Sequence, residues 1–249
     1  MRYALYFAAD ADDLLMRLGN AWLGRDPFTG TSLTQPSVAE IDPERFYALT
    51  DSPRRYGFHG TLKAPFHLQA NAAEADLVQA CKDFAQTASP FDVRSLGVNR
   101  LGKFLALTPN ENEPGLAAFA SECVRRFEGF RAPLSQADIE RRRKSGLTAK
   151  QDSYLTEWGY PYIFDEFRFH MTLSIKLENT EEADRIKAAA ERHFAEVTGR
   201  PRTCRSFALY VEPERGAPFD VHTVFQLTGT QAESSAEGNS GRPAAEENA

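Results

Sequence analysis

A five-residue phrase that occurs twice constrains this chain more than any other feature of its sequence. Residues 58–62 read FHGTL and residues 169–173 read FHMTL, so the pattern F-H-x-T-L stands once in each half of the chain. Side chains alternate between the two faces of a strand, which places His and Thr on one face and Phe and Leu on the other. Each copy therefore predicts a strand with an apolar face toward a core and a polar face toward a cleft.

The segments around the two copies follow each other in the same order. Each copy precedes a predicted helix of about 18 residues, at 71–88 and at 180–197, and then two further strands. This repeated order predicts an α+β protein with an internal duplication. We expect two pseudo-symmetric lobes, each an antiparallel sheet with helices on its outer face, and a central cleft between them.

These lobes are expected to form one bilobal domain over residues 1–228. Its halves span roughly 1–110 and 111–228, with strands that can be exchanged between the lobes. The remaining segment, 229–249, is acidic and low in aromatic residues, which predicts a disordered tail.

Composition limits the class of partner. The chain is 42% hydrophobic and 26% charged, as in an ordinary soluble domain. A formal net charge of −6 opposes coating by a long polyanion, so long nucleic acid is not expected as a partner. A small phosphorylated substrate, a cyclic phosphate or a nucleotide, remains compatible with a local basic pocket. No apolar run approaches the ~20 residues that span a bilayer, so no membrane association is expected, and we expect a monomer.

The number and spacing of the cysteines indicate the cellular compartment. The chain has three of them, widely spaced and without a C-x-x-C pair, which favours reduced thiols and a cytoplasmic protein. Cys81 and Cys123 stand among apolar residues of predicted helices, so we expect them to be packed in the core.

Two histidines that face one cleft suit acid–base catalysis at a phosphodiester. Imidazole titrates near neutral pH, so one ring can accept a proton from water while the other donates a proton to the leaving oxygen. Threonine hydroxyls can donate hydrogen bonds to the non-bridging phosphate oxygens. The predicted catalytic residues are His59, Thr61, His170 and Thr172. No cofactor and no metal are needed, and a metal centre at the two histidines and a third one lacks any H-x-H or H-E-x-x-H spacing.

Residues near the two motifs are predicted to bind the substrate or its phosphate. Strand alternation places Lys63 on the polar face of the first motif and Arg168 on that of the second. The other candidates flank the motifs in sequence: Arg54, Tyr56, Tyr160 and Tyr162. Solvated charge is the structural alternative for the cations, and packing is the alternative for the tyrosines. The basic run 141–144 is either a solvated helix face or a lid.

With these motifs the chain resembles the 2H phosphoesterase superfamily, which carries tandem H-x-T motifs on strands of two similar lobes. That superfamily includes cyclic phosphodiesterases and RNA-ligase-like enzymes. The longer sequences at 56–66, 158–162 and 167–173 resemble the branch associated with bacterial phosphonate-utilisation operons. The resemblance covers most of the chain and leaves out the tail.

The resemblance implies a two-lobed α+β fold with a central cleft. It implies that His59 and His170 are the acid–base pair and that Thr61 and Thr172 bind the phosphate. It also implies a ribosyl cyclic phosphate as substrate, an implication that comes from the genomic association of the family and from no residue of this chain.

The hypothesis that follows is a metal-independent phosphoesterase that opens a small cyclic phosphate or phosphodiester by two-histidine acid–base catalysis. Two alternatives stay open. One is an enzyme that processes RNA ends bearing 2′,3′-cyclic phosphates, against which the acidic charge weighs. The other is a non-catalytic module that binds a nucleotide or a phosphorylated sugar with the histidines as ligands only.

Overall fold

The computed structural model describes residues 1–230, so the predicted tail lies outside the described residues except for Gly229 and Thr230. Within these residues the strands are β1 (Arg2–Phe7), β2 (Gly60–Phe66), β3 (Phe91–Val93), β4 (Leu96–Leu101), β5 (Phe104–Pro109), β6 (Met171–Thr172), β7 (Arg202–Cys204), β8 (Ser206–Glu212) and β9 (Asp220–Gln226). The helices are α1 (Leu14–Leu23), α2 (Pro43–Leu49), α3 (Asp51–Tyr56), α4 (Glu74–Thr87), α5 (Pro114–Arg126), α6 (Gln136–Arg143), α7 (Ala149–Trp158) and α8 (Thr180–His193).

One antiparallel sheet runs through both halves of the chain, with the strand order β4-β5-β6-β2-β1-β8-β9. Strands β3 and β7 form a separate antiparallel pair. The predicted α+β class with antiparallel sheet and helices is confirmed. The hairpin β4–β5 follows β2 in sequence but lies beside β6, whereas β8–β9 follows β6 but lies beside β1. The halves thus exchange their hairpins, and a boundary between them near residue 110 stays a prediction.

Helix ends follow local capping chemistry. The carboxylate of Asp42 accepts a hydrogen bond from the backbone N of Glu44 at 2.8 Å, and Pro43 occupies the first position of α2, as its sequence predicts. Helix α1 begins at Leu14, because the carboxylate of Asp13 caps it by accepting a hydrogen bond from the backbone N of Leu15.

Helix α1 holds both F-H-x-T-L phrases against one core. The ring of Phe58 occupies the space beside Gly19, where a Cβ would lie 2.0 Å from a ring carbon. Three residues further along the helix, the indole Nε1 of Trp22 donates to the backbone O of Leu173 at 3.0 Å. The apolar residues of both phrases are buried, as strand alternation predicts: Phe58, Leu62, Phe169, Met171 and Leu173. Close packing on a single helix therefore fixes the two phrases relative to each other.

The three cysteines are free and buried, which confirms the prediction for Cys81 and Cys123. Burial raises the pKa of Cys81 and of Cys204 to about 12, so these thiols are protonated at neutral pH. Over residues 1–230, no helix combines the length and the apolar character needed to cross a bilayer.

Candidate active site

The two H-x-T motifs lie on neighbouring strands at the centre of the sheet. Strands β2 and β6 pair with Gly60 opposite Met171, and this antiparallel register sets His59 across from Thr172 and Thr61 across from His170. In such pairs the Cβ atoms of opposite residues are about 5 Å apart, and those of diagonal residues roughly 7–8 Å. His59 and His170 directly precede β2 and β6, and the register makes them diagonal neighbours.

The two phrases differ only at their middle residue, Gly60 in the first and Met171 in the second, and the packing around these residues explains the difference. A Cβ on Gly60 would lie 2.4 Å from the ring of Phe169, so the first motif accommodates the phenylalanine of the second only because it has glycine there. Met171, its partner across the pair, is fully buried. The two strands therefore approach closely beneath the histidines.

The same hydrogen bond orients each histidine. Nδ1 of His59 lies 2.8 Å from the backbone O of Gly57, and Nδ1 of His170 lies 2.7 Å from the backbone O of Arg168. A carbonyl oxygen only accepts, so Nδ1 carries the hydrogen in both rings and Nε2 is left for a reacting group. Thr61 Oγ1 stands 3.3 Å from Nε2 of His59.

His59 is packed beneath an aromatic ring. Tyr6 stacks on its imidazole with ring centroids 3.7 Å apart and an interplanar angle of 19°. Burial, with a further contribution from the nearby His170, lowers the pKa of His59 to about 4, although the hydrogen bond to Gly57 opposes this shift. His59 is therefore neutral at pH 7 and presents Nε2 as a proton acceptor.

Two adjoining cavities open onto the motifs. The larger, of about 610 Å³, is lined by His59, Thr61 and Thr172, and we call it the cationic cavity. Four further basic residues line it: Arg2, Arg141, Arg142 and Lys176. No carboxylate of the described part of the chain lines this cavity, although the chain as a whole is acidic. Its electrostatic field therefore favours an anionic ligand.

The smaller cavity, of about 350 Å³, is lined by His170 and by several aromatic and aliphatic residues, and we call it the aromatic cavity. It shares Thr61, Phe104 and Tyr160 with the cationic cavity, so the two form one continuous cleft across both motifs.

Most of the predicted binding residues line this cleft. Tyr56 lines the cationic cavity, Arg168 and Tyr162 line the aromatic cavity, and Tyr160 lines both. Arg168 and Tyr162 are exposed, whereas Tyr160 is half-buried. The guanidinium carbon of Arg142 lies over the ring of Tyr160, 5.2 Å from the ring centroid. The structure brings these residues to the cleft, and their roles in binding stay predictions.

The predicted placement of Lys63 in the cleft is wrong. Its Nζ donates instead to the backbone O of Val124 at 3.0 Å and to Glu128 Oε2 at 2.8 Å, on the helix side of the sheet. The reason is a β-bulge in β2, visible as a register shift between the pairs Leu5–Lys63 and Tyr6–Thr61. One extra residue on β2 breaks the strict alternation on which the prediction depended.

The predicted role of Arg54 in the site is also contradicted. Its guanidinium donates to the backbone O of Tyr47, to Thr50 Oγ1 and to Asp51 Oδ1, at 2.8–3.0 Å. It also lies over the ring of Tyr47 at 3.4 Å and lines neither cavity. Arg54 therefore ties α3 to α2, because the segment before the first motif is helical rather than a flexible loop.

Several residues of the cleft carry no signal in the sequence. Arg2 and Tyr6 belong to β1, which reads as a buried strand and gives no sign that it borders a site. Phe104 opens β5 and lies 5.7 Å from His170 between ring centroids. The run 141–144 is divided: Arg141 and Arg142 line the cationic cavity, whereas Arg143 pairs with Asp152 on the surface.

Comparison with known proteins places the chain in a family. Residues 61–220 match the family described as "Protein of unknown function (DUF1045)". The chain is 38% identical over 222 residues to a protein of Janthinobacterium sp. (strain Marseille) named ribose 1,5-bisphosphate phosphokinase PhnN, covering 88% of this chain and 49% of that protein. It is 33% identical over 220 residues to a protein of the same name from Laribacter hongkongensis (strain HLHK9), covering 88% of this chain and 50% of that protein. The chain thus spans about half the length of the curated relatives it matches.

Solved structures of similar architecture are more distant. TT0787 of Thermus thermophilus superposes with a TM-score of 0.42 at 13% identity, over 93% of this chain and 100% of that one. E. coli LigT complexed with 3′-AMP superposes with a TM-score of 0.42 at 12% identity, over 91% of this chain and 98% of that one. A protein described as a phosphoesterase superposes with a TM-score of 0.40 at 13% identity, also over 91% of this chain and 98% of that one. At this level of similarity these structures do not indicate the role of any residue in this chain.

Proposed function

We propose that this chain, which belongs to the DUF1045 family, is a metal-independent phosphoesterase that opens a small cyclic phosphate. The observation that carries the proposal is the matched pair His59 and His170. They directly precede the adjacent strands β2 and β6 and make the same Nδ1–carbonyl hydrogen bond, which leaves Nε2 of each ring without a hydrogen in the neutral form. This is the arrangement expected of the 2H phosphoesterase superfamily, which the sequence resembles.

In the proposed reaction His59 is the general base. Its neutral Nε2 accepts a proton from water as the water oxygen bonds to phosphorus, and a bound phosphate anion raises its proton affinity at that moment. His170, in its protonated form, donates a proton from Nε2 to the leaving oxygen as the P–O bond of the ring breaks. Thr61 and Thr172 donate hydrogen bonds to the non-bridging oxygens. The product is a phosphate monoester, and exchange with solvent restores both histidines.

A ribosyl cyclic phosphate is the substrate we favour. The names of the curated relatives refer to ribose 1,5-bisphosphate, and a segment like this chain makes up about half of each of those proteins. Joining two activities in one polypeptide is effective when both handle related ribose phosphates. The predicted association with phosphonate metabolism fits the same substrate class.

The phosphokinase activity of those relatives is not proposed for this chain. Residues 97–104 read GVNRLGKF and contain the spacing G-x-x-x-x-G-K, but Phe104 stands where a P-loop needs Ser or Thr. The stretch is also the hairpin of β4 and β5, whereas a P-loop connects a strand to a helix. It therefore lacks both the hydroxyl for Mg²⁺ and the helix N-terminus for phosphates.

The aromatic cavity supports a second candidate substrate. Phe104, Tyr160 and Tyr162 line it beside His170, and stacked aromatic side chains are a common way to bind a nucleobase. A nucleoside 2′,3′-cyclic phosphate is therefore the alternative to a ribosyl cyclic phosphate. A Tyr162→Ala variant that loses activity on cyclic nucleotides and keeps it on ribosyl cyclic phosphates would indicate that both substrates fit one cleft.

Turnover of cyclic ribose phosphates and 2′,3′-cyclic nucleotides by His59→Ala and His170→Ala variants tests the proposal. Each substitution removes one proton transfer, so we expect kcat to fall by about 10²–10⁴-fold. The matched control is His67→Ala, because His67 is exposed and lines neither cavity. Thermal unfolding of each variant separates loss of chemistry from loss of fold. Undiminished turnover in either active-site variant would contradict the mechanism, and inactivation by EDTA would favour a metal site instead.

A further inference from the structure

The cationic cavity holds more positive charge than one cyclic phosphate requires. Arg2 reaches it from β1, and Arg142 reaches it from α6, which lies in the long segment between the two motifs. Burial and the positive charges of Arg141 and Arg2 lower the pKa of Arg142, although Tyr160 and Asp138 oppose this. Arg2 and Arg142 line the same cavity, so both guanidinium groups contribute to the positive charge there.

The carboxylates nearby do not balance this charge. Glu212, which is fully buried, accepts hydrogen bonds from both Arg2 and Arg55, so one carboxylate serves two guanidinium groups. Arg142 lines the same cavity as Arg2, and no carboxylate of the described residues lines it, so the cavity keeps an excess of positive charge.

Arg142 differs from the arginines on either side of it. Arg141 pairs with Asp138 at 2.6 Å and Arg143 pairs with Asp152 at 2.6 Å. In residues 1–230, Nε of Arg142 is buried and has no hydrogen-bond partner. A buried cationic donor without a partner is destabilising, and an anion that accepts from it removes that penalty.

We propose that Arg142 and Arg2 form a second anion subsite in the cationic cavity, which binds a terminal phosphate of the substrate. The substrate would then be a cyclic phosphate that carries a second phosphoryl group. This inference rests on the proposed function, since it assigns the reacting phosphate to the two histidines and the other phosphate to the two arginines.

The dimensions of the cavity agree with such a ligand. Arg2 lies four residues before Tyr6 on β1, roughly 13 Å along an extended strand, and the ring of Tyr6 stacks on His59. Arg2 and His59 line the same cavity, so a ligand that contains a pentose and a terminal phosphate can contact both. The cavity volume of about 610 Å³ lies within the usual range for small-molecule sites.

The decisive experiment compares two substrates that differ only in the second phosphate: a ribosyl cyclic phosphate with a free 5-hydroxyl and the same compound with a 5-phosphate. The ratio of their kcat/KM values is measured for the wild-type chain, for Arg142→Gln and for the control Arg143→Gln. We expect the wild type to prefer the 5-phosphorylated compound by about 30-fold or more, as for a charge-assisted arginine–phosphate contact. Arg142→Gln should reduce that ratio by about tenfold or more, and Arg143→Gln should leave it unchanged. An equal fall for both substrates, or no preference in the wild type, would overturn the second subsite.

Direct binding distinguishes failure of the subsite from failure of the proposed function. Calorimetric titration with ribose 5-phosphate needs no turnover, and we expect its Kd to rise about tenfold in Arg142→Gln but not in Arg143→Gln. If the wild type turns over neither cyclic phosphate, the proposed function fails while this titration still decides the subsite. Equal affinity of all three proteins for ribose 5-phosphate would overturn it.

Discussion

His59 and His170 are oriented alike but lie in different surroundings. The ring of His59 stacks beneath Tyr6 and has Tyr56 and Tyr210 within 6.3 Å between ring centroids. The ring of Phe104 lies 5.7 Å from that of His170 between centroids and is tilted rather than stacked. His170 faces the aromatic cavity beside the exposed Arg168. The duplicated motif thus sets the geometry, and the neighbouring strands set the environment.

The difference shows how two copies of one motif can be suited to the two roles that the proposed mechanism gives them. Burial disfavours the charged imidazolium and keeps His59 neutral, as its proposed role of general base requires. His170, the proposed general acid, lies in a more open position beside the exposed Arg168. In the proposed mechanism, the acid and the base are therefore distinguished by what packs on each ring rather than by the motif itself.

The largest expected effect tests the burial of His59 through the pH dependence of stability. The pKa of His59 is about 4 in the folded chain against an ordinary value of 6.5, so between these pH values the unfolded chain binds a proton that the folded chain does not. The contribution of His59 to stability is complete above pH 6.5 and is lost as the pH falls toward 4, by at most roughly 3 kcal/mol. Urea unfolding of the wild type and of His59→Gln at pH 7 and pH 4.5 measures it. A difference between the two proteins that does not change with pH would contradict the burial of this ring.

The next effect concerns the positions two residues after each threonine, Lys63 and Ser174. Lys63→Met leaves Glu128 with Arg131 as its remaining partner, and we expect the free energy of unfolding to fall by about 2 kcal/mol. Ser174→Ala leaves the buried backbone N of Leu105 without its acceptor and should cost about 1–2 kcal/mol. Urea unfolding checks both values. A tenfold loss of kcat/KM in Lys63→Met, with the fold intact, would contradict this assignment and indicate that Lys63 contributes to the active site.

A smaller effect separates the aromatic neighbours of the two histidines. Tyr6→Leu removes the ring stacked on His59. We therefore expect the pKa of His59 to rise toward 6.5 and kcat/KM to fall about tenfold. Phe104→Leu is the matched change beside His170, and it should have less effect because that ring is tilted and farther away. Steady-state kinetics and an NMR titration of His59 measure the two effects. Equal losses in both variants would mean that the two surroundings are equivalent in function.

The sequence predicts the repeated strands, their polar faces and the α+β class because those features depend on local alternation. It misplaces Lys63 because the bulge in β2 arises from pairing with β1, which no local pattern encodes. It misses Tyr6 and Arg2 because a strand that borders a cleft and also packs in the core reads as uniformly buried. The strand predicted at the second motif pairs in the ladder only at Met171–Thr172, and single bonds such as that from Leu173 N to Leu105 O hold the residues after it.

The smallest expected effect concerns Arg168, at the exposed edge of the second motif. Its backbone O orients His170 whatever the side chain is, so Arg168→Gln changes the charge at the mouth of the aromatic cavity and leaves the imidazole in place. An exposed charge contributes little and is screened by salt, so we expect KM to rise about two- to fivefold at low ionic strength, with kcat unchanged and the effect lost at ~0.5 M salt. Steady-state kinetics at two salt concentrations measure this. A fall in kcat of about 100-fold that persists in high salt would show that Arg168 contacts the reacting phosphate. The second motif would then contribute a cation as important as those of the cationic cavity, and the contrast between a cationic side at His59 and an aromatic side at His170 would no longer hold.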